Sequence, residues 1–179
     1  MSKYVALLRA INVGGNSIIK MADLSSALDP LGFTGVATYI QSGNILFGSA
    51  DSDSTHLAQQ IQERLESAFG QIIQTFVFSP GELREAASNN PFEPAKYEQE
   101  RRCHLMFLSA EPDTQHIEKL MALQGEEYRF SIRRKVLYYT YPKAFDGKRR
   151  MINFEKVLGV SGTSRTWQVV NTLIEMAGN

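Results

Sequence analysis

Apolar residues along this chain follow two rhythms, short runs or two-residue alternation and a three-to-four spacing, which predict strands and helices respectively. The unbroken apolar run at 4–8 predicts a buried first strand. Met21, Leu24, Leu28 and Leu31 then mark one face of a helix, and Gly32 supplies a left-handed stop behind it. Two β-rich segments, 35–40 and 45–47, flank the turn Ser42-Gly43-Asn44 and predict a hairpin. Leu57, Ile61 and Leu65 line a second helix, capped by one of Asp53, Ser54 and Thr55 and ended by Gly70. A strand at 72–78 follows. Ser79 and Glu82 make a capping box with Pro80 at the first helical position, so a third helix starts there and stops before Pro91.

The second half has a similar rhythm. Segment 91–102 mixes prolines and charge and predicts a linker; a strand follows at 104–108. Ile117, Leu120 and Met121 give a helix begun at Asp113 or Thr114. Tyr128, Phe130 and Ile132 alternate with polar residues as a strand, Arg133-Arg134-Lys135 turns it, and 136–141 returns. Met151, Glu155 and Leu158 space a helix, whose face Phe154 and Val157 broaden. Thr163 or Ser164 is then expected to cap a last helix along Trp167, Val170, Ile174 and Ala177. The expected fold is α+β. Residues 1–92 form a ferredoxin-like β-α-β-β-α-β subdomain, and 93–179 a second α/β subdomain with a small antiparallel sheet, ordered β-α-β-β-α-α. Two helices would cover one face of the first sheet, leaving the other solvated or covered by something else.

Composition narrows the function classes. The 179 residues are 43% hydrophobic and 10% aromatic, enough for a core and against disorder. Lys+Arg and Asp+Glu stand at 19 each, so no overall field draws the chain to nucleic acid or anionic membrane. One cysteine, Cys103, permits no internal disulfide and suits a reducing compartment. The opening residues lack a basic-then-apolar leader pattern, and no apolar run approaches the roughly 20 residues of a membrane span. A cytoplasmic protein is expected.

Polar chemistry collects at a few points. Arg9 interrupts the first strand, and Asn12, Gly14, Gly15 and Asn16 follow it. Glycines permit converging backbone N–H groups that hold an anion, yet neither the Walker nor the G-x-G-x-x-G spacing is met, and the same glycines suit a plain tight connection. Arg9 has two readings, a structural ion pair or a guanidinium fork turned into a cleft toward carboxylate or phosphate. Tyr39, Gln41, Ser42 and Asn44 crowd hydrogen-bonding groups around a hairpin that needs only Asn and Gly to turn. His56, His104 and His116 lack paired ligand spacing, so no metal site and no cofactor are expected. Basic residues interleave with Tyr138, Tyr139, Tyr141 and Phe145 across 129–150, the alternative being a single-stranded nucleic-acid surface or simply solvated charges. Arg165 falls in the expected first turn of the last helix, where the dipole disfavours a cation unless an anion is near.

Several of these stretches together carry a resemblance. The run from Leu7 to Asn16, Lys20-Met21-Ala22-Asp23-Leu24, the hairpin from Thr38 to Phe47, Asn90-Pro91-Phe92, and Thr163 to Gln168 resemble the family called domain of unknown function 1697. The resemblance covers nearly the whole chain. It implies a bacterial, cytoplasmic α+β protein with a ferredoxin-like first part, and it implies no catalytic residues. Two positions depart from the family pattern: Ala10 stands where Gly is usual, and Thr166 where Asn is usual.

The expected site is a polar cleft for a small anionic ligand. Arg9, Asn12, Gly14, Gly15, Lys20, Gln41, Ser42, Asn44 and Arg165 line it, with Arg9 and Lys20 supplying charge. Catalytic residues are not identifiable; Ser42, Tyr39 and Lys20 are weak candidates. A protein-interaction surface on the uncovered sheet face is the remaining alternative.

Overall fold

The computed structural model describes residues 1–12, 18–93, 101–143 and 151–178. Its contacts divide the chain into two units, Met1–Arg84 with Asn171–Asn179, and Glu85–Val170. The α+β class expected from the sequence holds, with a four-stranded antiparallel sheet in each unit.

The first unit runs β1 (Ser2–Leu8), α1 (Met21–Leu28), β2 (Thr34–Tyr39), β3 (Asn44–Ser49), α2 (Ser54–Phe69) and β4 (Thr75–Phe78). Its strands lie in the order β2-β3-β1-β4. Alternate residues of β1 face opposite ways. Tyr4, Ala6 and Leu8 join Leu24 and Leu28 of α1 and Leu57, Ile61 and Leu65 of α2 in one core. Val5 and Leu7, on the opposite face, are buried as well. Helix ends follow local chemistry. Asp53 caps α2 by accepting from the backbone N–H of Thr55 and His56, and Gly70 closes it in the left-handed conformation. Arg64 donates to the Ala27 carbonyl at 2.6 Å, satisfying one end group of α1 from its neighbour α2.

Helix α3 (Pro80–Ser88) crosses from the first unit into the second, starting at the expected capping box. There Ser79 N–H donates to Glu82 at 2.7 Å, and Glu82 N–H returns to Ser79 Oγ.

The second unit runs β5 (Arg101–Leu108), α4 (Thr114–Met121), β6 (Arg129–Arg133), β7 (Val136–Pro142), α5 (Phe154–Leu158) and β8 (Gly162–Thr166). Its sheet order is β6-β7-β5-β8. Both units therefore trace β-α-β-β-α-β with the same strand neighbours. Met106, Leu108, Phe130, Leu137 and Tyr139 pack with Leu120 of α4 and with Phe154 and Leu158 of α5.

One expectation is corrected here. Residues 162–166 are a strand, not the start of the last helix, and the second half is β-α-β-β-α-β followed by α6 (Trp167–Gly178). Pairing with β5 decides it: Leu105 faces Arg165 and Phe107 faces Thr163. Thr166, the final strand residue, caps α6 instead, its Oγ1 accepting from Val169 N–H at 3.3 Å. Two further boundaries shift. β4 begins at Thr75 rather than at 72, and β5 reaches back to Arg101 within the expected linker.

Candidate functional site

Matching ends of the two sheets carry matching backbone bonds. In the first unit Leu8 N–H donates to Gly43 O at 2.8 Å and Arg9 N–H to Gln74 O at 2.9 Å. In the second, Leu108 N–H donates to Lys135 O and Ser109 N–H to Ser161 O, both at 2.8 Å. Arg9 and Ser109 thus hold the same place after the first strand of their units. Their chemistry differs. Ser161 Oγ donates to Ser109 Oγ at 3.0 Å, joining two small hydroxyls, whereas the first unit puts a half-buried guanidinium there.

The connections differ with them. Residues 109–113 suffice to reach α4, but 9–20 are used to reach α1. Asn12 links the described ends of this stretch: its Oδ1 accepts from Ile19 N–H at 2.8 Å, and its Nδ2 donates to Ile19 O at 3.0 Å and Gln41 O at 3.1 Å. One amide therefore closes its own loop and fastens it to the β2–β3 turn. Asn44, fully buried, does the same inside that turn, donating to Tyr39 O at 3.0 Å and Ser42 Oγ at 2.9 Å. Both protons of each amide have acceptors, so these two asparagines hold backbone in place.

The conformation they hold is strained. Of five non-glycine residues with positive φ among the described residues, Ala10 (55°), Asn12 (57°) and Ile40 (49°) lie in these two loops. Such conformations crowd an L side chain and are most costly for a β-branched one. A glycine at position 10 would relax that site, and Ala10 accepts the strain. Gly43, at φ 74°, is required twice over: a Cβ there would stand 2.7 Å from Leu8 Cβ and 2.8 Å from Ile11 Cδ1.

The other expected site residues fall in different settings. Gly14 and Gly15 lie outside the described residues. Lys20 is exposed at the position preceding α1, with extended backbone and no side-chain cap bond. Gln41 is exposed at the turn, and Ser42 and Tyr39 are half-buried. Arg165 belongs to the second unit and is 7% exposed within β8. Its Nη1 donates to Thr163 Oγ1 and to Ser164 O, both at 2.8 Å, and burial lowers its pKa to about 10. The helix-dipole argument for it lapses with the helix. Thr166 retains the capping function that an Asn would perform there, since both residue types favour it.

The second unit gives His104, expected only as a strand residue without metal-ligand spacing, a distinct setting. His104 stacks on Tyr139 at 4.9 Å and on Tyr141 at 5.3 Å between ring centres. Its Nδ1 is buried without a hydrogen-bond partner. Burial, then the charge of Arg102, pushes its pKa down to about 4, so the ring is neutral at physiological pH. An apolar pattern search takes it as one more polar position in a strand. His56 and His116 instead pair with Asp51 and Asp113 at 2.6 and 2.8 Å near the starts of α2 and α4.

In the basic region Arg129, Arg133, Arg134 and Lys135 are exposed, but Tyr138 and Tyr139 are buried, their hydroxyls donating to Ala86 O and Ser164 Oγ. Phe145 and Lys148-Arg149-Arg150 lie outside the described residues. Among the described residues no three His, Cys, Asp or Glu side chains gather as a metal site, and no helix is long and apolar enough to cross a membrane.

Comparison with known proteins gives a family and a fold. A family model described as "Protein of unknown function (DUF1697)" matches residues 1–138. A solved structure, the conserved bacterial protein SP0830 from Streptococcus pneumoniae, is similar with a TM-score of 0.75 at 22% identity. The likeness covers 100% of this chain and 99% of that one. No match was found among curated proteins.

Proposed function

The chain belongs to the DUF1697 family, and we propose that its first unit binds a small phosphate- or carboxylate-bearing anion at the end of its sheet. The carrying observation is the internal comparison: where the second unit joins Ser109 to Ser161, the first places Arg9 beside a longer, strained, tied-down loop. Strain of this kind collects where geometry is kept for a task other than stability. A guanidinium supplies a planar fork of donors for an oxyanion. Arg9 is the charged contact, with Lys20, Gln41 and Ser42 as further contacts. Asn12 and Asn44 are positioning residues, because their amides are committed to the loops they shape. Gly14 and Gly15 stay in the proposal as backbone donors on sequence grounds alone. Arg165 is left out of it.

We also assign each unit to the ferredoxin-like class, supported by the element order and by equivalent strand neighbours in the two sheets.

Calorimetric titration of the full chain with inorganic phosphate and with acetate tests the anion reading. Saturable binding of at least one is expected, weakened about 10- to 100-fold in Arg9→Gln, the loss of one charged hydrogen-bonding partner. Absence of saturable binding to both, or equal affinity in Arg9→Gln, overturns it.

A further inference from the structure

We infer that the β6–β7 hairpin is a docking surface for the phosphate backbone of double-stranded nucleic acid, held by Arg129, Arg133, Arg134 and Lys135. This goes beyond the anion site of the first unit and is independent of it. The whole chain is neutral, yet residues 129–143 hold five cations and no Asp or Glu, so positive charge is gathered on this hairpin. All four named cations are exposed. Arg133 Nη1 donates to a neutral amide, Asn89 Oδ1, at 2.9 Å. Among the described residues none of the four meets a carboxylate within salt-bridge distance. A surface built only for solubility mixes both signs.

The backbone sets their spacing. Arg133 faces Val136 across the last rung, and Arg134 and Lys135 form the turn beyond it. Arg129 and Arg133, four residues apart in one strand, lie on the same side of it, about 13 Å from each other. The four make a strip rather than a pocket, which suits a line of phosphates. β6 is an edge strand, where charge also keeps foreign strands from pairing. Arg129 and Arg133 suffice for that; Arg134 and Lys135 lie past the edge. Arg134 moreover holds φ 50° in a two-residue hairpin turn, where Gly or Asn sits at less cost, and being exposed it gains no burial in return. Three of the four cations are arginines, whose planar fork matches phosphate oxygens. Within 129–136 no large apolar side chain is exposed, as a membrane surface or a protein hot spot would require. Tyr138 and Tyr139, the tyrosines nearest the tip in β7, are buried and offer unpaired bases no ring to stack on, so the denser charge of a duplex is preferred.

Fluorescence anisotropy of a labelled, short, mixed-sequence duplex titrated with the full chain tests this. A dissociation constant below about 0.1 mM is expected at low salt. Between 50 and 200 mM salt the affinity should fall roughly 40- to 150-fold, as for three to four neutralised phosphates. The triple variant Arg133→Gln, Arg134→Gln, Lys135→Gln should lose about one unit of log–log salt slope per cation. Arg134→Gly should lose one such unit and, with its turn relaxed, melt at or above the parent temperature, which verifies that it folds. Binding weaker than about 0.1 mM at low salt overturns the inference, as do an affinity and slope unchanged in the triple variant. A single strand of the same length bound more tightly than the duplex overturns it too, since bases would then make the contact. Polyglutamate or anionic vesicles bound in place of the duplex overturn it in favour of that partner.

Discussion

The two units follow one path with different endings. Each begins with a strand whose last residue, Leu8 or Leu108, donates to the facing hairpin, and each pairs an aromatic ring across that strand. The pair is Tyr4 with Phe47 in the first unit and His104 with Tyr139 in the second. At the sheet end the second unit is economical: residues 134–135 make its hairpin turn, and 109–113 its first connection. The first unit lengthens both and binds them with one asparagine. Since the shorter version supports the same strand order, the extra length is unnecessary for the fold. That difference directs attention to function at the Arg9 end, and to acid sensitivity at the His104 end.

The largest effect separating the units should come from Gly43→Ala. Its new Cβ meets Leu8 and Ile11 below 3.0 Å while the backbone stays left-handed. A loss on the order of 3–4 kcal/mol is expected in urea unfolding. Lys135→Ala, at the matching carbonyl, should change stability by less than about 0.5 kcal/mol. Similar losses at both positions would mean that the two turns are built alike.

Acid should act through the second unit. The His104 ring has a pKa of about 4 when folded against 6.5 ordinarily, so between these values the unfolded chain binds a proton that the folded chain refuses. Stability is whole above about pH 6.5 and declines as pH falls toward 4, by on the order of 3 kcal/mol. Denaturation midpoints measured across that window should show the slope, and His104→Phe should level it. A slope unchanged in His104→Phe would place the proton uptake elsewhere.

Asn12→Ala removes the bonds from residue 12 to Ile19 and Gln41 and should cost about 2 kcal/mol. Ser109→Ala, the hydroxyl partner at the minimal end, should cost about 0.5 kcal/mol. Smallest of all, Ala10→Gly should stabilise by up to about 1 kcal/mol, relief of left-handed strain outweighing the added freedom of the unfolded chain. A destabilised Ala10→Gly would show that the methyl group packs usefully.

Much of the fold was legible because helix faces and caps are local. Leu57, Ile61 and Leu65 are buried as their spacing requires, and the Ser79–Glu82 box closes as its residues predict. β8 was not legible: Gly162-Thr163-Ser164-Arg165-Thr166 has no apolar alternation, and its serine and threonines are also helix caps. Pairing with β5 overrides that local preference, and it buries a threonine and an arginine whose side chains bond to each other. At the site, Arg9 drew notice as a charge at a strand end. Its equivalence to Ser109 rests on backbone bonds, which leave no common residue type to find. The strained angles at Ala10 and Ile40 were equally hidden, since neither residue favours them.

The last helix has a consequence for how this chain can be taken apart. α6 starts in the second unit and finishes in the first, and α3 makes the opposite passage. In chain order the units are nested, like a parenthesis inside a sentence, rather than strung one after another. A single cut between them releases no complete module: a fragment ending at Arg84 lacks the closing stretch 171–179 that belongs with it. A faithful excision of the first unit keeps both flanks and replaces 85–170 by a short bridge, and the same nesting requires stretch 171–179 to leave the ribosome before the first unit can be completed.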